Sequence, residues 1–438
     1  MTGKVDRRLT AVKRLLQQAA AHVGADFGIR LWDGDIIPLG PKARTDLRIA
    51  INSPDVLHRL IRRPRLTTLI DLAATGDIDI EGGTLLDIAA RRGEGKKGLI
   101  RRLDKLLIMK ALWPFVFSGG AKQPESTQTQ AYQGAQVDKD AAGRDNKALV
   151  QFHYDLSNAF YQLFLDPELQ YSCAYFPTWD ASLETAQTAK LDMICRKLRL
   201  KPGERFLDIG CGWGGLVCHA ARHYGVEAHG VTLSEAQLAF AREKIARLGL
   251  EDRVKVELKD YREVTGTFDK IASIGMFEHV GLDNHGAYFT KMRELLRPRG
   301  LLLNHAITRP AKKTARAFRR KRPEYAAIVN YIFPGSELDH VGGSVTSLER
   351  HGFEVHDVEG WREHYARTTR LWCERLYAER EAAVREVGEA KTRLWLLYLA
   401  GVSLGFERGT IGIFQTLASR RAKGASGLPP TRADLYTP

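Results

Sequence analysis

Phe206-Leu207-Asp208-Ile209-Gly210-Cys211-Gly212-Trp213-Gly214-Gly215 is the stretch from which the rest of the chain can be read. An apolar run carries an acid near its end and enters a glycine-dense turn, and an alanine-rich segment, Leu216 to Arg222, follows. Glycine has no Cβ, so the backbone there can take positive φ and approach a ligand closely. The helix that opens next offers free N–H groups to whatever the turn holds. Strand, glycine turn and helix in this order make a nucleotide-cofactor cradle at the carboxyl end of a first parallel strand. The glycines fall at 210, 212, 214 and 215, not at the G-x-G-x-x-G spacing of a dinucleotide site. An ordinary glycine-rich βα turn looks the same, so the surrounding segments must decide.

From about residue 146 strands and helices alternate. Strands are expected at Arg205–Ile209, Glu227–Val231, Val254–Leu258, Phe268–Ile274 and Gly300–Ala306, and helices at Leu216–Tyr224, Glu235–Leu248 and Tyr288–Leu296. This rhythm predicts an α/β fold with a parallel, doubly wound sheet. Residues 363–400 read as mainly helical. Ahead of the sheet, residues 8–23 have helical spacing, 27–52 alternate with turn signals, Leu57–Ala73 has a helical pattern and 76–83 reads as a strand between turns. Residues 118–145 are rich in Gly, Gln, Ser, Thr and Ala and read as a linker, mobile at least in part. The expected organisation is a small N-terminal α+β domain over 1–117, a linker over 118–145 and a catalytic domain over 146–425.

The 438 residues are 44% apolar, enough for a sizeable core. No uncharged apolar run has the length of a membrane span, and the first residues lack the apolar core of a signal peptide, so a cytoplasmic protein is expected. Five cysteines form no CxxC pair and no zinc spacing, which predicts reduced thiols and no metal site. The net charge of +14 predicts an anionic partner, either nucleic acid or an anionic membrane surface. Residues 309–322 hold eight basic residues and no acid, and Arg309, Lys313, Arg316 and Arg320 would share a face if helical. Residues 96–117 interleave Lys and Arg with Leu, Ile, Trp and Phe, as an interfacial amphipathic helix does; a core helix with solvated basic flanks has the same composition.

Further segments bear on the site. Thr232-Leu233-Ser234-Glu235-Ala236-Gln237 follows the second strand, where many such folds carry an acid for the ribose hydroxyls. Lys259-Asp260-Tyr261-Arg262 follows the third, where an acid and an aromatic can grip an adenine. Gly275-Met276-Phe277-Glu278-His279-Val280-Gly281 follows the fourth. Before the sheet stand His153-Tyr154-Asp155-Leu156-Ser157-Asn158-Ala159-Phe160-Tyr161 and Gln170-Tyr171-Ser172-Cys173-Ala174-Tyr175-Phe176. The glycine turn resembles the first motif of S-adenosylmethionine (SAM) methyltransferases. Together with Leu303-Asn304-His305-Ala306-Ile307, these segments in this order resemble the cyclopropane-fatty-acyl-phospholipid synthase family, which includes the mycolic acid cyclopropane synthases. The resemblance runs from about Val150 to Arg420. The N-terminal module resembles, more loosely, the lipid-facing domain of the phospholipid-acting members.

The resemblance implies a class I SAM-methyltransferase sheet and a defined reaction. SAM gives a methyl to a cis double bond of a phospholipid acyl chain, a carbocation forms, and loss of a proton from the new methyl closes a cyclopropane. The alkene is the nucleophile, so no protein nucleophile is needed. The cation calls for aromatic faces, with Tyr161, Phe164, Tyr175, Phe176 and Phe277 available, and for exclusion of water. The family's base is a bound bicarbonate ion. The matched positions for it are Cys173, Glu278, His305, the Ile307 backbone and Tyr365. Those for SAM are Tyr171, Ser172, Asp208, Gly210, Cys211, Gly212, Thr232, Leu233, Ser234, Gln237, Tyr261 and Arg262. His279 reads as a structural hydrogen bonder, and His351, His356 and His364 as surface or structural. The implied setting is unsaturated phospholipid at an anionic membrane surface on the cytoplasmic side, with the basic run 309–322 holding head groups and a homodimer possible.

The chain departs from the family at Tyr398-Leu399-Ala400-Gly401-Val402, where Val402 stands in place of a late cysteine. Relatives on this scaffold also make methyl-branched, methylene or hydroxylated chains. A nucleic-acid methyltransferase would want Asn/Asp-Pro-Pro-aromatic after the fourth strand to hold a flipped base, and Gly-Met-Phe-Glu-His stands there. A lipid-binding protein without catalysis would have no need of Asp208, Gln237 and Glu278.

Overall fold

The computed structural model describes residues 7–93, 108, 109, 112, 113, 115, 156–320, 323 and 331–436. The expected linker at 118–145, most of the basic amphipathic segment 96–117 and the opening of the HYDLSNAFY motif lie outside the described residues.

The chain divides into two compact units that do not follow sequence order. One gathers the described residues up to 115 with 331–332 and Leu376–Gly401; the other holds 156–320, Phe333–Arg375 and 402–436. In the first, α1 (Arg7–Val23), β1 (Gly28–Arg30), β2 (Ile36–Pro38), β3 (Arg48–Ile51), α2 (Asp55–Arg62), α3 (Leu66–Ala74), β4 (Ile78–Glu81) and α4 (Leu85–Arg91) follow one another. The sheet order is β2-β1-β3-β4. The expected helix over Leu57–Ala73 is two helices, because Pro64 lies between them and proline cannot donate an intrahelical bond. Two later segments join this unit through charge. Asp79 accepts from Arg393 at 3.2 Å and faces Arg380, and the Tyr331 hydroxyl donates to Asp71. The single catalytic domain expected over 146–425 therefore loses 376–401, held by these pairs, to the N-terminal unit.

The second unit is built on seven strands. In chain order come α5 (Asn158–Gln162), α6 (Leu183–Leu198), β5 (Arg205–Ile209), α7 (Gly215–Tyr224), β6 (Glu227–Thr232), α8 (Glu235–Arg247), β7 (Val254–Leu258) and β8 (Phe268–Ile274). Then follow α9 (His285–Leu295), β9 (Leu296–Thr308), α10 (Ala315–Arg319), α11 (Val341–Arg350), β10 (Phe353–Gly360) and α12 (Arg362–Ala378). The helix α13 (Arg380–Val387) and α14 (Glu389–Glu407) up to Gly401 belong to the first unit, and the last strand, β11 (Gly412–Arg420), closes the second. The order is β10-β11-β9-β8-β5-β6-β7. Strands β5 to β9 pair in parallel, as the alternation predicts, while β11 runs antiparallel to both of its neighbours, so the sheet is mixed.

Apolar residues cover both faces of this sheet. Phe206, Ala272, Leu301, Leu303 and Leu417 pack with Leu191, Ile194 and Leu198 of α6. Leu207, Ile209, Ile271 and Leu302 pack with Tyr288, Phe289 and Met292 of α9. Helix α6 presents its apolar side at helical spacing, starts on Ser182, whose hydroxyl accepts from Thr185 N at 3.2 Å, and stops at Arg199 with φ +50°. Among the described residues of the basic run only Ala315–Arg319, α10, is helical, so Arg309 and Lys313 do not share a helical face with Arg316.

Candidate active site

The carboxyl ends of β5, β6, β7 and β8 open on one cavity. At the turn after β5, Gly212 takes φ +53° and nothing lies within 4 Å of where a Cβ would stand. At Gly215 a Cβ would fall 1.8 Å from Gln170 Nε2, so any side chain would displace a buried amide. Among the predicted cofactor residues, Tyr171, Ser172, Asp208, Gly210, Cys211, Gly212, Thr232, Leu233, Gln237 and Tyr261 line the cavity. Ser234 and Arg262 do not. The Ser234 hydroxyl caps α8, accepting from Gln237 N at 3.3 Å. The Arg262 guanidinium is spent on Asp260, 2.8 Å away, and it is Asp260 that reaches the lining. The Thr232 hydroxyl donates to Gln237 Oε1 at 2.7 Å, which fixes the carboxamide at the cavity wall.

Sequence reasoning missed the group that governs this cavity's charge. Lys190, on α6, is buried and lines it. Its ammonium donates to Gln170 Oε1 (2.5 Å) and Ser172 Oγ (3.0 Å). Burial pulls its pKa down to about 8 against the pull of Asp166, Cys173 and Asp208. Asp208 is buried too, Oδ1 has no hydrogen-bond partner, and burial raises its carboxyl to about 7 against the opposing Lys190 charge. A helical lysine reads from sequence as a solvated residue, so no pattern marks Lys190. Trp213, Met276 and His279 were missed in the same way. His279, expected to be structural, faces the cavity.

A second cluster lies one step further along β8 and β9, where Ile274 pairs with His305 and Gly275 N donates to the His305 carbonyl at 2.8 Å. Glu278 sits in a short 3-10 turn and is buried. Its Oε1 accepts from Ile307 N at 2.6 Å, its Oε2 has no partner, and burial raises its carboxyl to about 7. The Ile307 N–H, expected to face an anion, thus holds the Glu278 carboxyl. His305 is fully buried and its Nε2 has no partner; burial, with Lys190 and Lys197 adding, pushes its pKa well below the ordinary value and keeps the ring neutral.

Trp361 is the common neighbour of the other predicted members. Its carbonyl accepts from Tyr365 N (3.0 Å) and from the Cys173 thiol (3.8 Å), and its ring stands edge-on to His305 at 5.1 Å. Burial pushes the Cys173 thiol up, so it is a thiol and not a thiolate nucleophile. Cys211, likewise buried and pushed up, packs beneath Gly230.

Aromatic rings connect the two clusters. Tyr161 stands against Trp213 (5.0 Å) and Tyr171 (5.6 Å), Tyr171 against Trp372 (5.2 Å), and Trp372 against Tyr365 (6.0 Å). Phe164 joins at Tyr171 and Trp372, whereas Tyr175 and Phe176 stack on His364. Phe277 lies apart from this series, stacked on His285 in the core under α9. His351, His356 and His364 bond to Ser347 O, Ser419 Oγ and Phe176 N.

A family model described as mycolic acid cyclopropane synthetase matches residues 142–416. A probable fatty acid methyltransferase of Pseudomonas putida is 39% identical over 417 residues, 93% of this chain and 95% of that protein. The cyclopropane-fatty-acyl-phospholipid synthase of Escherichia coli K12 is 41% identical over 268 residues, 61% of this chain and 66% of that one. The solved structure of the mycolic acid cyclopropane synthase CmaA1, complexed with SAH and CTAB, superposes with a TM-score of 0.59 at 35% identity, over 62% of this chain and 98% of that one.

Proposed function

We propose, from the premise that this chain belongs to the mycolic acid cyclopropane synthetase family, that it converts cis double bonds of phospholipid acyl chains to cyclopropanes. It is a SAM-dependent methyltransferase. The cavity at the ends of β5–β8 fits the co-substrate. Its floor is the glycine turn, its walls carry Gln237 and Tyr261, and Asp208 Oδ1 waits there without a partner.

The observation that carries the reading is the pair of buried atoms without partners, Glu278 Oε2 and His305 Nε2. A carboxyl raised to about 7 is half protonated at neutral pH and mostly protonated below it, and a neutral imidazole keeps one N–H, so both can donate to a small oxyanion. These two, with Cys173 and Tyr365, are the residues that would hold bicarbonate. Bicarbonate supplies there a base for the proton lost from the new methyl. The chain's own part is to orient and to keep dry. The ring series from Tyr161 to Tyr365 offers π faces to a cationic carbon and leaves little room for water that would trap it as an alcohol.

A membrane surface as the place of work is supported by charge and exposure. Lys312, Lys313, Arg316 and Arg320 are exposed, and Met109 and Trp113 are 55% and 60% exposed. A second reading, a methyl-branched or methylene product, is favoured by the 39% identity to a probable fatty acid methyltransferase. Purified protein incubated with SAM and vesicles of cis-unsaturated phospholipid tests both. The expected product gains one CH₂ and shows cyclopropane protons by NMR. A gain without ring protons selects the second reading, and no gain refutes both.

A further inference from the structure

Three side chains outside the predicted set form a line behind His305. In the register of the sheet, Glu359 on β10 lies beside Gln415 on β11, and Gln415 beside His305 on β9. Lys197, one helical turn beyond Ile194 on α6, reaches over them, 1% exposed. Its Nζ bonds the Glu359 carboxylate and donates to Gln415 Oε1 at 2.7 Å. Gln415 Nε2 then stands 3.3 Å from His305 Nδ1, and Gln415 is 1% exposed.

The polarity of this line follows from donor chemistry. An ammonium only donates, so the carbonyl end of the Gln415 amide must face Lys197. Its nitrogen end must then face His305, and an NH₂ only donates, so His305 Nδ1 must accept. A neutral imidazole that accepts at Nδ1 carries its proton on Nε2. That is the buried ring nitrogen without a partner.

We propose that Lys197 and Gln415 are positioning residues that hold His305 in its Nε2–H form, so that the ring presents a fixed proton donor to an oxyanion. The proposal rests on the reading of Glu278 and His305 as oxyanion holders. Glu359 anchors the far end by keeping Lys197 charged and in place. A serine or alanine at 415 would leave the ring free to take either tautomer, and the wrong one would turn a lone pair toward the anion. Polar groups tied in such a chain are expected to be set as a unit, so a change at one end is felt at the other.

The test is ¹⁵N NMR of the full chain labelled at histidine, with the His305 signals assigned by their loss in His305→Ala. At pH 7.5 the wild type is expected to show the Nε2–H tautomer at His305. Gln415→Glu, of nearly the same shape, is expected to move the proton to Nδ1, since a carboxylate there demands a donor. Its kcat should fall about 100-fold, the size of losing one preorganised donor, with KM for SAM unchanged. The Nδ1–H tautomer in the wild type overturns the proposal, and so does a Gln415→Glu variant that keeps both tautomer and kcat. The wild-type spectrum decides the tautomer even if Gln415→Glu fails to fold. If His305→Ala turns over at the wild-type rate, the oxyanion reading itself fails; if His305→Ala is slow and Gln415→Glu is fast, only the positioning fails.

Discussion

Replacing Glu278 by Gln should stabilise the protein in alkaline buffer while slowing its chemistry. The carboxyl is buried, bonded on one oxygen by Ile307 N and raised from 4.5 to about 7 by burial. Its folded pKa lies above its unfolded one, so its contribution to stability is fully present below pH 4.5 and is lost as pH rises to 7. The rise from 4.5 to about 7 corresponds to about 3 kcal/mol at pH 8.5, and to under about 1 kcal/mol at pH 5. Glutamine keeps the acceptor for Ile307 and carries no charge to desolvate. The variant should therefore gain about 3 kcal/mol over wild type at pH 8.5, about 5 °C in the melting temperature of a unit of this size, and under about 1 kcal/mol at pH 5. Calorimetry of both proteins without SAM at the two pH values measures it. Equal pH dependence in the two would show that Glu278 is hydrated, and the reasoning from burial would fall. Because glutamine turns an amide N–H to the oxyanion in place of the more acidic carboxyl O–H, turnover should fall with SAM affinity retained.

Three further outcomes are expected. Gly215→Ala forces Gln170 from its bond to Lys190, so it should cost about 1–3 kcal/mol and weaken SAM binding, as calorimetric titration would show. Asp208→Asn removes a second carboxyl raised to about 7, so its apo form should gain stability over wild type as pH rises from 4 to 7, read by thermal melts across that range. Changing Lys312, Lys313, Arg316 and Arg320 together to Gln should weaken flotation with anionic vesicles by about 1 kcal/mol per charge and leave SAM affinity unchanged; equal binding would remove the basic run from the membrane contact.

The parallel strands were legible because each is a short apolar run, and three of them, Arg205–Ile209, Val254–Leu258 and Phe268–Ile274, have the bounds read from sequence. Strands β10 and β11 were not legible. Phe353–Gly360 alternates with charge like an exposed edge, and Gly412–Arg420 carries a glutamine and two hydroxyls where a buried strand would be apolar. The cofactor turn and its flanking motifs could be read from local residue order. The buried lysines could not, since burying Lys190 and Lys197 depends on partners 18 and 218 residues away. Pro64 was visible in the sequence and should have split the helical pattern over Leu57–Ala73. The pairing of 376–401 with the N-terminal unit rests on Asp79 meeting arginines more than 300 residues later, and no local pattern announces that.

Strand β11 has a consequence in time as well as in space. It is the last strand of the sheet to be synthesised, yet it inserts between β9 and β10, which precede it. At 5–20 residues per second, about 10–40 s pass between synthesis of Asp208 and synthesis of Gln415. Through that interval the nascent chain can hold a cofactor turn but lacks the neighbour that orients His305 and separates β9 from β10. A chain that stops short of β11 thus has SAM's cradle without the strand that carries Gln415.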